Sequence, residues 1–359
     1  MNLSVVMAVR NGELYLREAI ESVLAQSFAD FEFLIVDDAS TDSTAGILSE
    51  YRARDSRIRV LRNDSHLGHT PSANLGLQHA SGDVIARHDA DDISTPERFV
   101  IQLKALLSDG NTCLVTGDVE FFDARGAASS TIHRPPSWQP RLEWELLFGN
   151  AVGAGAHVMF PRVVRGTPVL YSSTYFWAED YALWCHLSRL GRIVCPAQVV
   201  YRYRRHALGI TGRNRAEQDE CAAMIRDEYA SEYLQSRRPR ETLAELSRFW
   251  HREGSRRLTE NVPTLCSTLA ELRAGFFVYV EQRYGPSDRA RLERELAGAL
   301  GDRLSYWLFR SLRLQDGRAC RDLLSIARAR GEVLSISTSA LALAGGAITH
   351  RRHGTLTGS

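Results

Sequence analysis

From Leu3 to Val9 every residue but Ser4 is apolar, and the run gives way at once to Arg10-Asn11-Gly12. A short continuous apolar run bounded by turn residues predicts a strand buried on both faces, as in a parallel sheet covered by helices. The same signature returns at Phe31 to Val36, Ile58 to Leu61, Val84 to Ala86 and Leu114 to Phe122. Between the first two strands, Leu16, Ile20, Val23 and Leu24 share one face at helical spacing, which predicts a helix. A second helix is predicted to start near Thr41-Asp42. A third starts near Thr70-Pro71, with Thr70 as N-cap and Pro71 in the first helical position, and stops at Ser81-Gly82. Alternation of this kind predicts an α/β domain with a mostly parallel central sheet. Residues 125–140, rich in Gly, Ala, Ser and Pro, read as a loop.

The pattern changes after about residue 213. Strand-like runs vanish, and Arg, Glu, Leu and Ala dominate with helical periodicity at Glu217 to Leu234, Glu241 to Trp250 and Ser287 to Leu300. The expected division is therefore a domain at 1–212 and a helical C-terminal region at 213–359. Val333 to Ile348 is apolar but interrupted by Ser335, Ser337, Thr338 and Ser339, and it falls short of the roughly 20 residues that span a bilayer, so a packed helix is expected.

Composition narrows the function classes. Of 359 residues, 44% are hydrophobic and 24% charged, as in soluble globular chains, and the net charge of +1 supplies no basic field for nucleic acid. Six scattered cysteines without a CxxC pair argue for reduced thiols rather than zinc or a disulfide scaffold. The first apolar run is too short for a signal-peptide core and lacks a basic flank, so a cytoplasmic place is expected. Arg351 and Arg352, with His350 and His353, add peripheral contact at the inner membrane face as a second reading.

Candidate chemistry gathers at strand ends. Asp89-Ala90-Asp91-Asp92 directly follows the fourth apolar run, placing hard anionic oxygens where a divalent cation and its phosphates can be held. After strand one there is no GxGxxG, and no GxxxxGK[ST] occurs anywhere, which argues against dinucleotide cofactors and P-loop chemistry. Strand two ends in Asp37-Asp38, then Ala39-Ser40-Thr41-Asp42. There a carboxylate either accepts from a base N–H or ribose hydroxyl, or merely solvates the strand end while Asp42 caps a helix.

Met7-Ala8-Val9-Arg10-Asn11-Gly12, Phe33 through Asp42, Asn74-Leu75-Gly76 and Ala86 through Asp92 resemble, in order and spacing, the successive signatures of family 2 glycosyltransferases of the GT-A fold. Trp177-Ala178-Glu179-Asp180 is similar to that family's Glu-Asp motif, and Tyr201-Arg202-Tyr203-Arg204-Arg205-His206 to its closing Tyr-Arg-x-x-His segment. The likeness covers roughly residues 1–212. His88 stands where the family is usually apolar, and Ala207-Leu208-Gly209 replaces its common Pro-Gly-Ser.

The resemblance implies a GT-A (nucleotide-diphospho-sugar transferase) domain that transfers sugar from a nucleoside-diphosphate donor, with inversion, to a hydroxyl of a glycan or lipid-linked acceptor in cell-surface polysaccharide synthesis. It implies Asp91 and His206 as ligands of Mn²⁺ or Mg²⁺, and Asp89 on the ribose or in support of the metal. Val9, Asn11, Asp38, Arg87, Glu179 and Arg202 are implied as further donor contacts, with Arg202 or Arg205 offsetting phosphate charge. Asp180 is the implied general base. A UDP-linked donor is expected, with dTDP and GDP as alternatives. Trp177 and Trp184 either stack on a sugar or pack in the core. His88 either adds a polar contact near the metal or makes ordinary hydrogen bonds at a strand end. The segment Trp144 to Phe160 and the C-terminal helices are expected to shape acceptor choice.

Glu179-Asp180 opens a helix that Gly191 stops, so capping alone is a competing account of the two acids. Other classes fit less well. A dehalogenase-like phosphatase needs a downstream lysine with acidic partners, and Lys104 is the only lysine. A calcium loop fails at Ile93 and Ser94. An inactive nucleotide-sugar-binding scaffold is the remaining alternative.

Overall fold

The computed structural model describes residues 2–206, 215–235, 238–252, 262–314 and 316–329. Ala207-Leu208-Gly209, Val333 to Ile348 and the basic tail at 350–353 lie outside them. The chain forms two compact units, Met1–Ile225 and Arg226–Ser359.

In the first unit the order is β1 (Leu3–Val9), α1 (Leu16–Leu24), β2 (Phe31–Asp37), α2 (Thr44–Arg54), β3 (Ile58–Arg62), α3 (His69–His79), β4 (Val84–Asp89), β5 (Ile93–Ser94) and α4 (Arg98–Leu107). It continues through β6 (Thr112–Val115), β7 (Asp118–Asp123), β8 (Ala128–His133), α5 (Gln139–Leu146), β9 (Met159–Pro161), β10 (Val163–Val164), β11 (Thr167–Pro168), α6 (Glu179–Leu190), β12 (Arg192–Val194) and β13 (Val199–Arg205). Seven strands form the central sheet in the order β12-β6-β9-β4-β1-β2-β3, where β9 runs antiparallel to both neighbours and every other pairing is parallel. β10 and β11 form a small hairpin, and β5-β13-β7-β8 make a second sheet.

All seven residues of β1 are buried, six of them apolar with Ser4 the exception, and Leu16, Ala19, Ile20 and Val23 of α1 join the same core. On α3, a Cβ added to Gly76 would lie 2.5 Å from Val6 Cγ1, so the absence of a side chain lets this helix press directly on β1. From β1 the chain moves outward to β2 and β3 on one side and returns to β4 on the other. In open α/β sheets such a reversal of strand order leaves a crevice at the carboxyl ends of the flanking strands. Here those ends are Val9, Asp37 and Asp89.

Several sequence expectations change. The run Leu114 to Phe122 is two strands in different sheets, parted at Thr116-Gly117, because any Cβ at Gly117 would sit 2.6 Å from Val200 Cγ2 and the chain must pass there bare. Within 125–140, β8 pairs antiparallel with β7 instead of forming a loop. α2 begins at Thr44, whose N–H donates to Asp42 Oδ1 at 3.0 Å. α3 begins at His69 with Gly68 as its N-cap, since the Thr70 hydroxyl is engaged with the Phe176 carbonyl at 3.2 Å.

One partly exposed polar junction lies at the opposite end of the strands from the crevice. Glu32 Oε1 accepts from Ser4 Oγ (2.6 Å), Ser81 N (2.6 Å) and Ser81 Oγ (2.7 Å), and Oε2 accepts from Arg59 Nη1 (2.7 Å). Desolvation pushes this carboxyl upward, but those hydrogen bonds prevail and hold it at about 2. Glu32→Ala is expected to lower unfolding free energy by about 2–3 kcal/mol at neutral pH, measured by urea titration. Because the folded value is depressed, the gap between wild type and variant is full above the ordinary carboxylate range and closes as pH falls toward about 2.

The helix α7 (Arg215–Ser231) crosses the division between the units. In the second unit, α8 (Arg240–His251), α9 (Val262–Tyr284), α10 (Pro286–Arg313) and α11 (Gly317–Ala329) bury Leu246, Phe249, Leu269, Phe276, Leu296 and Trp307. Trp307 Nε1 donates to the Phe249 carbonyl at 3.0 Å, tying α10 to α8. Among the described residues no helix is long and apolar enough to cross a membrane.

Candidate active site

Three loops meet at the crevice. Asp38 N donates to the Val9 carbonyl (2.8 Å), so the exits of β1 and β2 are joined by backbone. Asn11, at φ 51°, donates through its N–H to Ser40 Oγ (3.0 Å) and accepts from Thr41 N at Oδ1 (2.9 Å). The oxygens of Asp38 are taken up by the next loop: Oδ1 accepts from Asn63 Nδ2 and Leu67 N, both at 2.8 Å, while Oδ2 accepts from Gly68 N at 2.9 Å and meets His66 Nδ1 at 2.6 Å. Against the upward pull of desolvation, these contacts hold the Asp38 carboxyl below its usual range. Asp38 thus fastens the loop after β3 to the end of β2.

The acidic run follows at β4. Asp89 closes the strand, with its N–H donating to Tyr201 Oη at 3.1 Å. Arg87 is buried behind it: Nη1 donates to the Val6 carbonyl (2.5 Å), Nε to Tyr171 Oη (3.2 Å), and Nη2 stands 3.5 Å from Asp89 Oδ1. Its geometry makes it a support for Asp89. Asp91 Oδ2 lies 2.9 Å from His206 Nε2, and the His206 ring packs on Tyr15 with centroids 4.9 Å apart. Burial, then the charge of Asp89, pushes Asp91 up, and burial with the charges of Asp91 and Asp89 pushes the enclosed Asp92 well above the carboxylate range.

His88 makes ordinary strand-end contacts. It is fully buried, with Nδ1 2.7 Å from the Asp89 carbonyl and its ring edge on Tyr201, and burial pushes the imidazole well below its normal range. Arg202 pairs with Glu120 Oε2 at 2.7 Å, and the Arg205 guanidinium lies over Phe121. The arginine that grips the acidic run is Arg204, which donates from Nε to the Asp91 carbonyl and from its backbone N to Asp92 Oδ1, both at 2.7 Å. Sequence reading passed over it, although its two-residue offset from His206 at the end of a strand places both on one face.

Opposite stands the start of α6. Asp180 Oδ1 accepts from Tyr181 N at 2.6 Å and Oδ2 from Asn150 Nδ2 at 3.1 Å. The N-cap position is Ala178, and both acids fall in the first turn, where Asp180 also accepts a backbone N–H, so the capping account describes part of what they do. Burial raises Asp180 to about 6, and burial with the Asp180 charge raises Glu179 to about 8. The negative charge of Asp89 adds to both increases, which places the rim of β4 and the start of α6 in one electrostatic environment. Tyr171 ties β4 to α3, since its hydroxyl meets Arg87 while its backbone N and O are clamped by Asn74 Oδ1 and Nδ2, each at 2.9 Å. Trp184 is core, fully buried with Nε1 on the Gly153 carbonyl, whereas Trp177 is half-buried beside Phe176.

A strand-order reversal with an acidic rim on one side and paired carboxyls of separated proton affinity on the other defines a nucleotide-diphospho-sugar transferase domain of the GT-A type. The model of the family described as glycosyl transferase family 2 matches residues 4–164. A glycosyltransferase of Haemophilus influenzae is 30% identical over 240 residues, which are 65% of this chain and 74% of that relative. The Escherichia coli UDP-Glc:alpha-D-GlcNAc-diphosphoundecaprenol beta-1,3-glucosyltransferase WfgD is 28% identical over 182 residues, 51% of this chain and 68% of WfgD. In fold, the chain is similar to S. aureus TarS, crystallised with UDP-GlcNAc, with a TM-score of 0.53 at 15% identity over 92% of this chain and 93% of that one. The chain belongs to glycosyl transferase family 2 and is a glycosyltransferase.

Proposed function

We propose that this glycosyltransferase takes its sugar from a UDP-linked donor and transfers it, with inversion, to a hydroxyl of a glycan or lipid-linked acceptor in cell-surface polysaccharide synthesis. The observation that carries the reading is the acidic run at the strand-order reversal, where Asp91 lies 2.9 Å from His206 at the carboxyl end of β4. Asp180, raised to about 6, is ionised at neutral pH yet basic enough to accept the acceptor's proton as its oxygen attacks the anomeric carbon. The bond from that carbon to the β-phosphate oxygen breaks, and its electron pair leaves with the nucleoside diphosphate. Glu179, raised to about 8, stays protonated at neutral pH and can donate a hydrogen bond to the sugar without competing as base. The donor and acceptor classes named for WfgD support the same choice here.

The rim also fits a divalent cation. Asp91 and Asp89 offer hard oxygens whose mutual repulsion a cation would relieve, and His206 adjoins Asp91. Among the described residues no three His, Cys, Asp or Glu side chains form a ready-made metal site. An ion such as Mg²⁺ is held by one or two carboxylates together with substrate phosphates. Asp91 and His206 would hold it, and when bound it would neutralise charge on the departing diphosphate.

Hydrolysis of a panel of nucleotide sugars, with EDTA, Mn²⁺ or Mg²⁺, tests this reading. UDP-sugars are expected to turn over fastest, with loss in EDTA and recovery on adding either ion. Preference for another nucleotide would overturn the donor, and turnover indifferent to EDTA would overturn the metal.

A further inference from the structure

Asn150 lies in the loop after α5, thirty residues before Asp180, and its two side-chain bonds point in opposite directions. Its Oδ1 accepts from Gly153 N at 3.0 Å, and its Nδ2 donates to Asp180 Oδ2 at 3.1 Å. Because a backbone N–H can only donate, the Gly153 contact fixes which end of the amide faces Asp180. Gly153 is itself held in place, at φ 100° and with its carbonyl accepting from Trp184 Nε1 at 3.3 Å. The amide is thus anchored to rigid backbone on one side and directed at a carboxylate on the other.

We infer that Asn150 is a positioning residue that holds the Asp180 carboxylate as an aimed anion through the Gly153-anchored amide. The inference rests on Asp180 acting as the base. The titratable and charged groups facing Asp180 are Glu179 on its own helix, Asp89 at the end of β4 with Arg87 behind it, and the Tyr171 hydroxyl. Asp89 opposes ionisation of Asp180; the Tyr181 backbone N–H and the Asn150 amide favour it. Losing the amide would leave the acid with one fewer donor amid like charges.

Asn150→Asp separates this role from a structural one, because it keeps the acceptor for Gly153 N while replacing the donor to Asp180 by a second carboxyl. Two carboxyls at that distance share a proton to higher pH. For Asn150→Asp, the acid limb of kcat/KM is expected to move up by about one pH unit, a loss of about tenfold at the acid end, with the KM for UDP-sugar changed less than about twofold. Asn150→Ala, which cannot create a new charge, is expected to move the limb in the same direction by a smaller amount. Thermal melting and UDP affinity of both variants establish that they are folded. An acid limb that stays at the wild-type position in both folded variants would overturn the inference while leaving the base assignment intact. Asp180→Asn, assayed alongside, separates the two: retained transfer there would remove the base and, with it, the role given to Asn150.

Discussion

Asp180→Asn is expected to bind donor normally and to lower kcat by about a thousandfold, since a positioned base contributes on the order of 10²–10⁴. Asparagine keeps the shape and still accepts from Tyr181 N, but it cannot take a proton. In the proposed mechanism, wild-type activity requires Asp180 deprotonated and Glu179 protonated. Activity should therefore rise with pH through about 6 and fall again through about 8, the two values belonging to the interacting pair rather than to either residue alone. Single-turnover transfer with a matched acceptor, alongside calorimetric UDP binding, checks both halves. Transfer retained in the variant would move the base elsewhere, to Glu179 first.

Asp91→Ala is expected to abolish metal-stimulated turnover, a loss of about 10³-fold or more, because offsetting the charge on a departing diphosphate is worth several kcal/mol. Asp89 alone would leave the cation without the Asp91 and His206 side of the rim. Asp92 is enclosed, with Oδ1 on the Arg204 backbone, and Asp89 is backed by Arg87. A Mn²⁺ titration of UDP-sugar turnover measures the effect, and full stimulation in the variant would take the ion away from the acidic run.

The strands that build the crevice were legible because each is specified locally. Leu3–Val9 is apolar at every position but Ser4, and the start of α6 at Glu179 with a stop at Gly191 follows from helical spacing and a terminal glycine. What remained hidden depends on contacts distant in the chain. One apolar run looks the same whether it is one strand or two, and the crowding of Gly117 by Val200 that parts β6 from β7 has no local trace. α9 falls within the region read as helical, and its buried Val262, Leu265, Cys266, Leu269, Leu272, Phe276 and Val280 recur at helical spacing. At the site, residue types announced the carboxylates but not their partners: Arg204 meets Asp91 across 113 positions. Asp38 carried the right chemistry for a base contact, and only folding reveals that its oxygens serve the loop after β3.

That interlocking of Asn11, Asp38 and the loop after β3 bears on how a nucleotide is admitted. A wall already stitched together by side-chain bonds to backbone forfeits little conformational freedom when a ligand settles against it. On the proposed donor site, selectivity at that edge would come from fixed shape, and a donor whose base does not match would meet a surface that does not remould itself.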